Sequence, residues 1–182
     1  MVLRIGIGCP EGLGGVARPD YDRVLFASRV SAMLCRLDVR DAVRARAIHR
    51  VLQDAYREEA VVLGVRHFPP LSRGVRDIAA SAGTFHGFLA GNELLGVIEV
   101  EEAPGEDGRV IASLAVAPRM FRRGIGRALV EYVIAAGDGP LSVSTGAANG
   151  AAIGLYEKLG FILTRRYATP EGIPMVELVR PG

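Results

Sequence analysis

A glycine turn between two apolar segments is the first feature of the sequence that could carry out chemistry. Residues 113–133 read SLAVAPRMFRRGIGRALVEYV, which is an apolar strand, a loop with arginines, and Gly124-Ile125-Gly126 at the start of a helix. The first N–H groups of a helix lack partners within the helix and carry partial positive charge, so they suit a pyrophosphate. Arg122 and Arg123 would add charge-assisted contacts, including contacts to a further phosphate. Taken alone, such a turn is more often a tight connection with solvated arginines.

A second group of residues that could contact a ligand follows in residues 144–161, which read STGAANGAAIGLYEKLGF. Asn149, Ile153 and Tyr156 stand four and three residues apart, a spacing that places them on one face of a helix. Asn149 and Tyr156 can therefore contact the same ligand. By itself, Tyr156 is more often a core aromatic residue with its hydroxyl group at the surface.

The elements that must position these residues follow from the pattern of apolar and turn-forming residues. Asp41 is predicted to cap a first amphipathic helix and Ser72 a second, shorter one. The other predicted helices are 124–136 and 148–159, and the predicted strands are 35–39, 84–90, 94–101, 109–116, 141–145 and two final strands around Gly172.

The two signatures, in this order, resemble the GNAT superfamily of acyl-CoA-dependent N-acyltransferases. The resemblance covers residues 34–179 and rests on LAVAPRMFRRGIGRALV and on Asn149 followed by LYEKLGF. It implies an α/β (α+β) fold whose central sheet is mixed, mostly antiparallel, splayed at the cofactor site and flanked by helices. It also implies acetyl-CoA as co-substrate, held in the gap of the sheet. We therefore place an N-acetyltransferase-like domain at residues 34–182, after a Gly/Pro-rich, loosely ordered extension at residues 1–33.

The same resemblance implies roles for particular residues. Backbone groups of Leu114, Ala115 and Val116 would hydrogen-bond the pantetheine arm, and Asn149 would assist them. Tyr156 would lie beside the thioester sulfur. The residues that would hold the pyrophosphate are Arg122, Arg123, Gly124, Ile125, Gly126 and Arg127.

The expected reaction needs a group that accepts a proton. A lysine-like amine has a pKa of about 10.4 and is almost entirely ammonium at neutral pH, so it must lose a proton before it attacks a thioester. Strand 109–116, where several relatives keep their general base, has no carboxylate. Glu99 and Glu101, on one face of the neighbouring strand, are the best candidates, although a solvated hairpin end explains them equally well. Tyr156 would protonate the departing thiolate, and a backbone N–H near Val116 would stabilise the oxyanion.

These residues predict an N-acetyltransferase that acetylates a primary amine of a small molecule or a protein by direct attack. Two other functions stay open. One is a catalytically silent CoA-binding sensor or interaction domain, which the missing strand carboxylate permits. The other is a nucleotide-binding module that uses the glycine turn for a different phosphate. The loops of the acceptor pocket have no diagnostic composition, so the acceptor is not assigned.

Composition and charge argue against several other classes. The chain has 182 residues, 49% of them hydrophobic, which suits one domain with a full core. A net charge of +2 without a basic stripe disfavours nucleic acid, and no apolar run approaches the roughly 20 residues that span a bilayer. Cys9 and Cys35 form no CxxC pair, and the histidines lack metal-site spacing, so no metal is expected. We expect a cytoplasmic protein whose start is Met1 or Met33, and an exposed final strand would allow a homodimer.

Overall fold

One sheet of seven strands forms the centre of the structure. The computed structural model describes residues 32–103 and 108–182. The strands lie in the order β1-β2-β3-β4-β5-β7-β6, and every neighbouring pair is antiparallel except β4 and β5. The sheet is open and helices flank it, so the predicted fold class is confirmed. The strands are β1 Ala32–Leu37, β2 Thr84–Ala90, β3 Glu93–Glu102, β4 Arg109–Val116, β5 Leu141–Gly146, β6 Ile162–Ala168 and β7 Pro174–Arg180; the helices are α1 Ala42–Leu63, α2 Val75–Ala79, α3 Ile125–Ala135 and α4 Gly150–Lys158.

Helices cover both faces of the sheet. α3 and α4 pack against one face around Leu129, and α1 packs against the other face around Ile48. α1 begins after the predicted cap, where the Asp41 side chain accepts a hydrogen bond from the backbone N–H of Val43 at 2.9 Å. It ends at Gly64, whose φ of 66° gives the left-handed turn that commonly terminates a helix. None of the helices in the two described ranges has the length and hydrophobicity that a membrane crossing requires.

The first strand begins earlier than the sequence pattern predicts. β1 starts at Ala32 rather than at residue 35, because Met33 pairs with Leu89 of β2 and the following residues continue the ladder. The strand therefore begins before the predicted domain boundary at residue 34. The rest of the predicted extension, residues 1–31, lies outside the described residues.

The second helix begins later than predicted. The Ser72 hydroxyl donates to the carbonyl oxygen of Pro69 at 2.7 Å, within a 3-10 turn, and is not available as a helix cap. α2 instead begins at Val75 with Gly74 as its N-cap, and the side chain of Asp77 accepts the Gly74 N–H at 2.7 Å.

The final strand is not at an edge of the sheet. β7 lies between β5 and β6 and pairs antiparallel with both. The prediction that an exposed final strand could pair two subunits was therefore wrong about the strand, because β6 covers it. Among the described strands, β1 and β6 form the edges.

The two parallel strands separate partway along their length. The pairing of β4 with β5 ends at Ile111 and Val143. β4 nevertheless continues to Val116 and β5 to Gly146. The sheet therefore has a gap in its interior, between the carboxyl-terminal halves of these two strands.

A β-bulge in β4 lies where the gap begins. Opposite β3, Glu99 pairs with Ser113 and Val100 with Ile111, so Ala112 is an extra residue in β4. A bulge bends its strand and increases the local twist. This change of direction turns the second half of β4 away from β5.

Candidate active site

A cleft with a volume of about 420 Å³ lies where β4 and β5 separate. Its lining comes from α1, from both strands, from α4, from the turn after α1 and from the β6–β7 loop. α1 contributes Tyr56 and Glu59, and α4 with its cap contributes Asn149 and Tyr156. Two lining residues are acidic, Glu59 and Glu171, and none of the described lining residues is basic.

In the second half of β4, the backbone groups of every second residue face the cleft. The N–H of Ala117 bonds to the carbonyl oxygen of Leu95 on the β3 side at 2.8 Å. Backbone groups of successive strand residues point to opposite sides, so Ala115 also faces β3, and Leu114 and Val116 face the gap. Leu114 lines the cleft, whereas the side chain of Ala115 is buried against the α1 layer.

The glycine turn has the geometry of an open helix N-terminus. Gly124 is the N-cap of α3 with a φ of 82°, and it has no side chain to cap the helix. The first helical hydrogen bond joins Ala128 N to Gly124 O at 2.9 Å. The backbone N–H groups of Ile125, Gly126 and Arg127 therefore have no partner within the helix.

The arginines of the turn point outward. Arg122, which also has a positive φ of 63°, and Arg123 are exposed. Among the described residues no acidic side chain pairs with either of them, whereas Arg127 Nε contacts Glu131 Oε1 at 2.8 Å. The side chain of Ile125 is buried in the core, so Ile125 can contact a ligand only through its backbone.

Gly126 packs the glycine turn against α4 and β4. A methyl group built at Gly126 would lie 3.5 Å from Leu155 Cδ2 and 3.8 Å from Val116 Cγ2. The N-terminus of α3 therefore lies beside α4 and beside the open half of β4. The structure therefore brings the two sequence signatures next to each other.

Tyr156 lies inside the cleft and is almost fully buried. Its side chain is 3% exposed and its ring contacts Phe161, with the ring centres 5.2 Å apart. Burial raises the pKa of Tyr156, and the nearby Glu59 and Tyr56 raise the pKa further. The phenol is therefore protonated at neutral pH and can act as a hydrogen-bond donor.

Asn149 connects α4 to α1. It is the N-cap of α4 rather than a residue inside the helix, and its Oδ1 accepts a hydrogen bond from Ala152 N at 3.1 Å. Its Nδ2 donates to Glu59 Oε1 at 3.0 Å. Burial raises the pKa of Glu59, and the hydrogen bond from Asn149 offsets part of the rise.

Glu99 is held in a buried ion pair outside the cleft. Its side chain is 0% exposed, and both of its oxygens accept hydrogen bonds from Arg73, at 2.5 and 2.7 Å. Ser81 Oγ and Ser113 Oγ donate to it at 2.7 and 2.9 Å. Burial alone would raise the pKa of Glu99, but the hydrogen bonds from Arg73 and Ser81 outweigh it and lower the pKa.

Neither glutamate that the sequence analysis selected as a base lines the cleft. Glu99 and Glu101 do lie on one strand face, since a methyl group built at Gly83 would meet both side chains. Glu101 is exposed and lies outside the buried hydrogen-bond network around Glu99. Glu99 reaches the cleft only indirectly, because the Tyr56 hydroxyl contacts Ser113 Oγ at 3.1 Å. The tertiary ion pair with Arg73 is what the sequence pattern could not show.

Glu59 was not among the site residues predicted from the sequence. The signal was present, since Tyr56, Glu59 and Leu63 follow one another at helical spacing and share the inner face of α1. A carboxylate within the apolar stripe of an amphipathic helix needs a polar partner or a function.

The described residues offer no group of three His, Cys, Asp or Glu side chains that could hold a metal ion. Cys35 is a buried cysteine in β1, and Cys9 lies outside the described residues. His86 contacts the ring of Tyr132 and lies away from the cleft lining.

The comparison with known families agrees with this geometry. The model of the acetyltransferase (GNAT) family matches residues 45–161, which contain most of α1, the open half of β4, the glycine turn and α4. The chain belongs to this family.

One relative in sequence and two solved structures are similar to this chain. The UPF0157 protein YqkA of Bacillus subtilis (strain 168) is 34% identical over 139 residues, covering 75% of this chain and 40% of that protein. The ribosomal-protein-S18-alanine N-acetyltransferase from Escherichia coli aligns with a TM-score of 0.63 at 22% identity, covering 83% and 94% of the two chains. The PaiA N-acetyltransferase from Thermoplasma acidophilum, solved with coenzyme A, aligns with a TM-score of 0.61 at 15% identity, covering 84% and 99%. The two structures show a shared fold.

Removing Glu99 should destabilise the protein. Glu99→Ala should lower the free energy of unfolding by about 3 kcal/mol, because it leaves Arg73 partly buried without its partner. Glu101→Ala, on the exposed end of the same face, is the control and should change it by no more than about 0.5 kcal/mol. Urea unfolding at neutral pH measures both.

The difference between the parent and Glu99→Ala should also depend on pH. Folding lowers the pKa of Glu99, so its contribution is fully present above the pKa of the unfolded side chain. It is lost as the pH falls through the folded-state pKa, and the difference should shrink in acid. Equal, small effects of the Glu99 and Glu101 variants would contradict a structural role for the ion pair.

Proposed function

We propose that the protein is an N-acetyltransferase that moves an acetyl group from acetyl-CoA to a primary amine by direct attack. One observation carries the proposal: Tyr156 lines the cleft between β4 and β5, and the uncapped N-terminus of α3 lies beside the open half of β4 that borders this cleft. A thioester and a pyrophosphate on one long ligand fit these two places. The family membership and the solved relative with coenzyme A support the same ligand.

The chain offers suitable groups along the whole ligand. The open N–H groups of Ile125, Gly126 and Arg127 would bind the pyrophosphate, with Arg122 and Arg123 close by. The backbone groups of Leu114 and Val116 that face the gap would bind the amide groups of the pantetheine arm. In this proposal Asn149 does not bond to the ligand directly. It caps the N-terminus of α4 through Ala152 N and holds Glu59 by a hydrogen bond.

The residues around the reacting atoms suit acyl transfer. When bound, acetyl-CoA supplies an activated acetyl carbonyl group. A backbone N–H facing the gap near Val116 would stabilise negative charge on the carbonyl oxygen. The protonated Tyr156 hydroxyl would donate a proton to the departing sulfur. Direct attack is favoured because Cys35, the cysteine within the described residues, lies in β1 and does not line the cleft.

Removing the exposed arginines of the glycine turn should weaken acetyl-CoA binding. The double variant R122Q/R123Q should bind at least about tenfold more weakly, because a hydrogen bond to a charged group contributes about 1.5 kcal/mol or more. The matched control is R165Q/R166Q, which removes two exposed arginines from edge strand β6. Isothermal titration of acetyl-CoA into each protein measures the affinities. Equal weakening in both variants would indicate nonspecific charge attraction instead of a site at the turn.

Removing the Tyr156 hydroxyl should slow the transfer without weakening binding. Tyr156→Phe keeps the buried ring and its contact with Phe161, so it should fold and bind acetyl-CoA like the parent. Its kcat should fall by about 100-fold, the lower end of what a positioned general acid contributes. Thiol release from acetyl-CoA, with a panel of alkyl amines, diamines and peptides with free N-termini, measures kcat. An acetyl-CoA-binding parent that releases no thiol with any of these amines would contradict the proposed activity.

A further inference from the structure

Glu59 occupies a position in the cleft that the packing of α1 fixes. Leu63, one turn further along the helix, lies against Gly146, where a built methyl group would come within 2.3 Å of Leu63 Cδ2. This contact holds the end of α1 over the end of β5, at the gap in the sheet. Glu59 therefore projects toward the cleft from the α1 side, opposite the α4 residues that line it.

The surroundings of Glu59 are those of a carboxylate that is available to a ligand. Asn149 Nδ2 donates to Oε1, and among the described residues no hydrogen bond is made to Oε2. Glu59 interacts electrostatically with Tyr56 on its own helix and with Tyr156 on α4, and it shares the cleft with Ser113 on β4 and the exposed Glu171 on the β6–β7 loop. No described lining residue carries a positive charge that would pair with it.

The environments of Glu59 and Glu99 shift their pKa values in opposite directions. Burial raises the pKa of Glu59, which makes its carboxylate a stronger proton acceptor, and Glu59 in turn raises the pKa of Tyr156. Arg73 and Ser81 hold the pKa of Glu99 below its usual range, and Glu99 does not line the cleft. A proton taken from a ligand in the cleft is therefore accepted more readily by Glu59.

From this geometry we infer that Glu59 is the general base, accepting the proton of the acceptor's ammonium group within the cleft. The inference rests on the proposed function. The ammonium would transfer one proton to the Glu59 carboxylate, and the neutral nitrogen would form the C–N bond to the acetyl carbon as the C–S bond breaks. Tyr156 would give its proton to the sulfur and recover one from the acetylated nitrogen. Glu59 would then release its proton to solvent, so that the cycle yields amide, thiol and one proton.

The test compares Glu59→Gln with Glu58→Gln. The first substitution keeps a side-chain oxygen that can accept from Asn149 and removes the base, whereas Glu58 is the neighbouring exposed residue of α1 and provides the matched control. Glu59→Gln should lower kcat by about 100-fold or more, in the range that general bases contribute, with the acetyl-CoA affinity unchanged. Glu58→Gln should match the parent. Thermal unfolding of each variant checks that the fold is kept.

The pH dependence separates a base from a residue that only supports the structure. The ratio of the parent kcat/KM to that of Glu59→Gln should fall as the pH approaches the pKa of the acceptor amine, because the amine then arrives without its proton. An acceptor amine of low pKa should likewise be acetylated by the variant almost as fast as by the parent. Glu59→Asp, which keeps a carboxylate, should retain intermediate activity.

The outcomes distinguish the two proposals. A parent that transfers acetyl groups and a Glu59→Gln variant with the same kcat would overturn the role of Glu59 and leave the proposed function intact. A slow variant whose rate relative to the parent does not change with pH or with amine pKa would also overturn it, since Glu59 would then act through the structure. A parent that binds acetyl-CoA but acetylates no amine would overturn both proposals.

Discussion

β4 and β5 stop pairing in the middle of the sheet, and this separation creates the cleft around which α1 and α4 are arranged. Backbone N–H and C=O groups left open in a protein interior are costly unless water or a ligand completes their hydrogen bonds. The bulge at Ala112 turns β4 away, and the Glu99 network fixes Ser113 and Arg73 on the β3 side of that bulge. Leu63 packs where Gly146 has no side chain, which places α1 over the gap. These contacts keep the backbone groups on this edge of β4 open to the gap and prevent β5 from pairing with them.

The two glutamates near β4 have different roles: Glu99 stabilises the fold, and Glu59 is the proposed base. Glu99 accepts hydrogen bonds from three residues, has a lowered pKa and ties β4 to β3. Glu59 accepts a hydrogen bond from one described residue, has a raised pKa and borders the cleft. Tyr56 connects the two, because its hydroxyl contacts Ser113 and its ring borders the cleft.

The sequence was informative wherever the signal is local. The limits of β4, the hairpin before it, the Asp41 cap and the glycine turn depend on short-range patterns, and the structure has them at or within a few residues of the predicted places. The position of β7 between β5 and β6 and the start of β1 depend on pairing with distant strands. The environments of Glu59 and Glu99 likewise depend on contacts with residues that are distant in sequence. Alternation placed Glu99 on the correct strand face, but the partner that occupies it, Arg73, comes from a turn 26 residues earlier. The spacing on α1 indicated that Glu59 faces inward, but its hydrogen-bond partner, Asn149, comes from a part of the chain 90 residues away.

Backbone amide exchange at Leu114 and Val116, measured by NMR with and without saturating acetyl-CoA, tests whether the open edge of β4 binds the ligand. Both N–H groups face the gap and should exchange quickly in the free protein. Acetyl-CoA should slow them by at least about tenfold, the change expected from one added hydrogen bond of roughly 1.4 kcal/mol, while Ala115, already facing β3, should change little. If acetyl-CoA binds and the exchange of Leu114 and Val116 is unchanged, the open edge of β4 is not the site of the ligand, and the account of the gap is wrong.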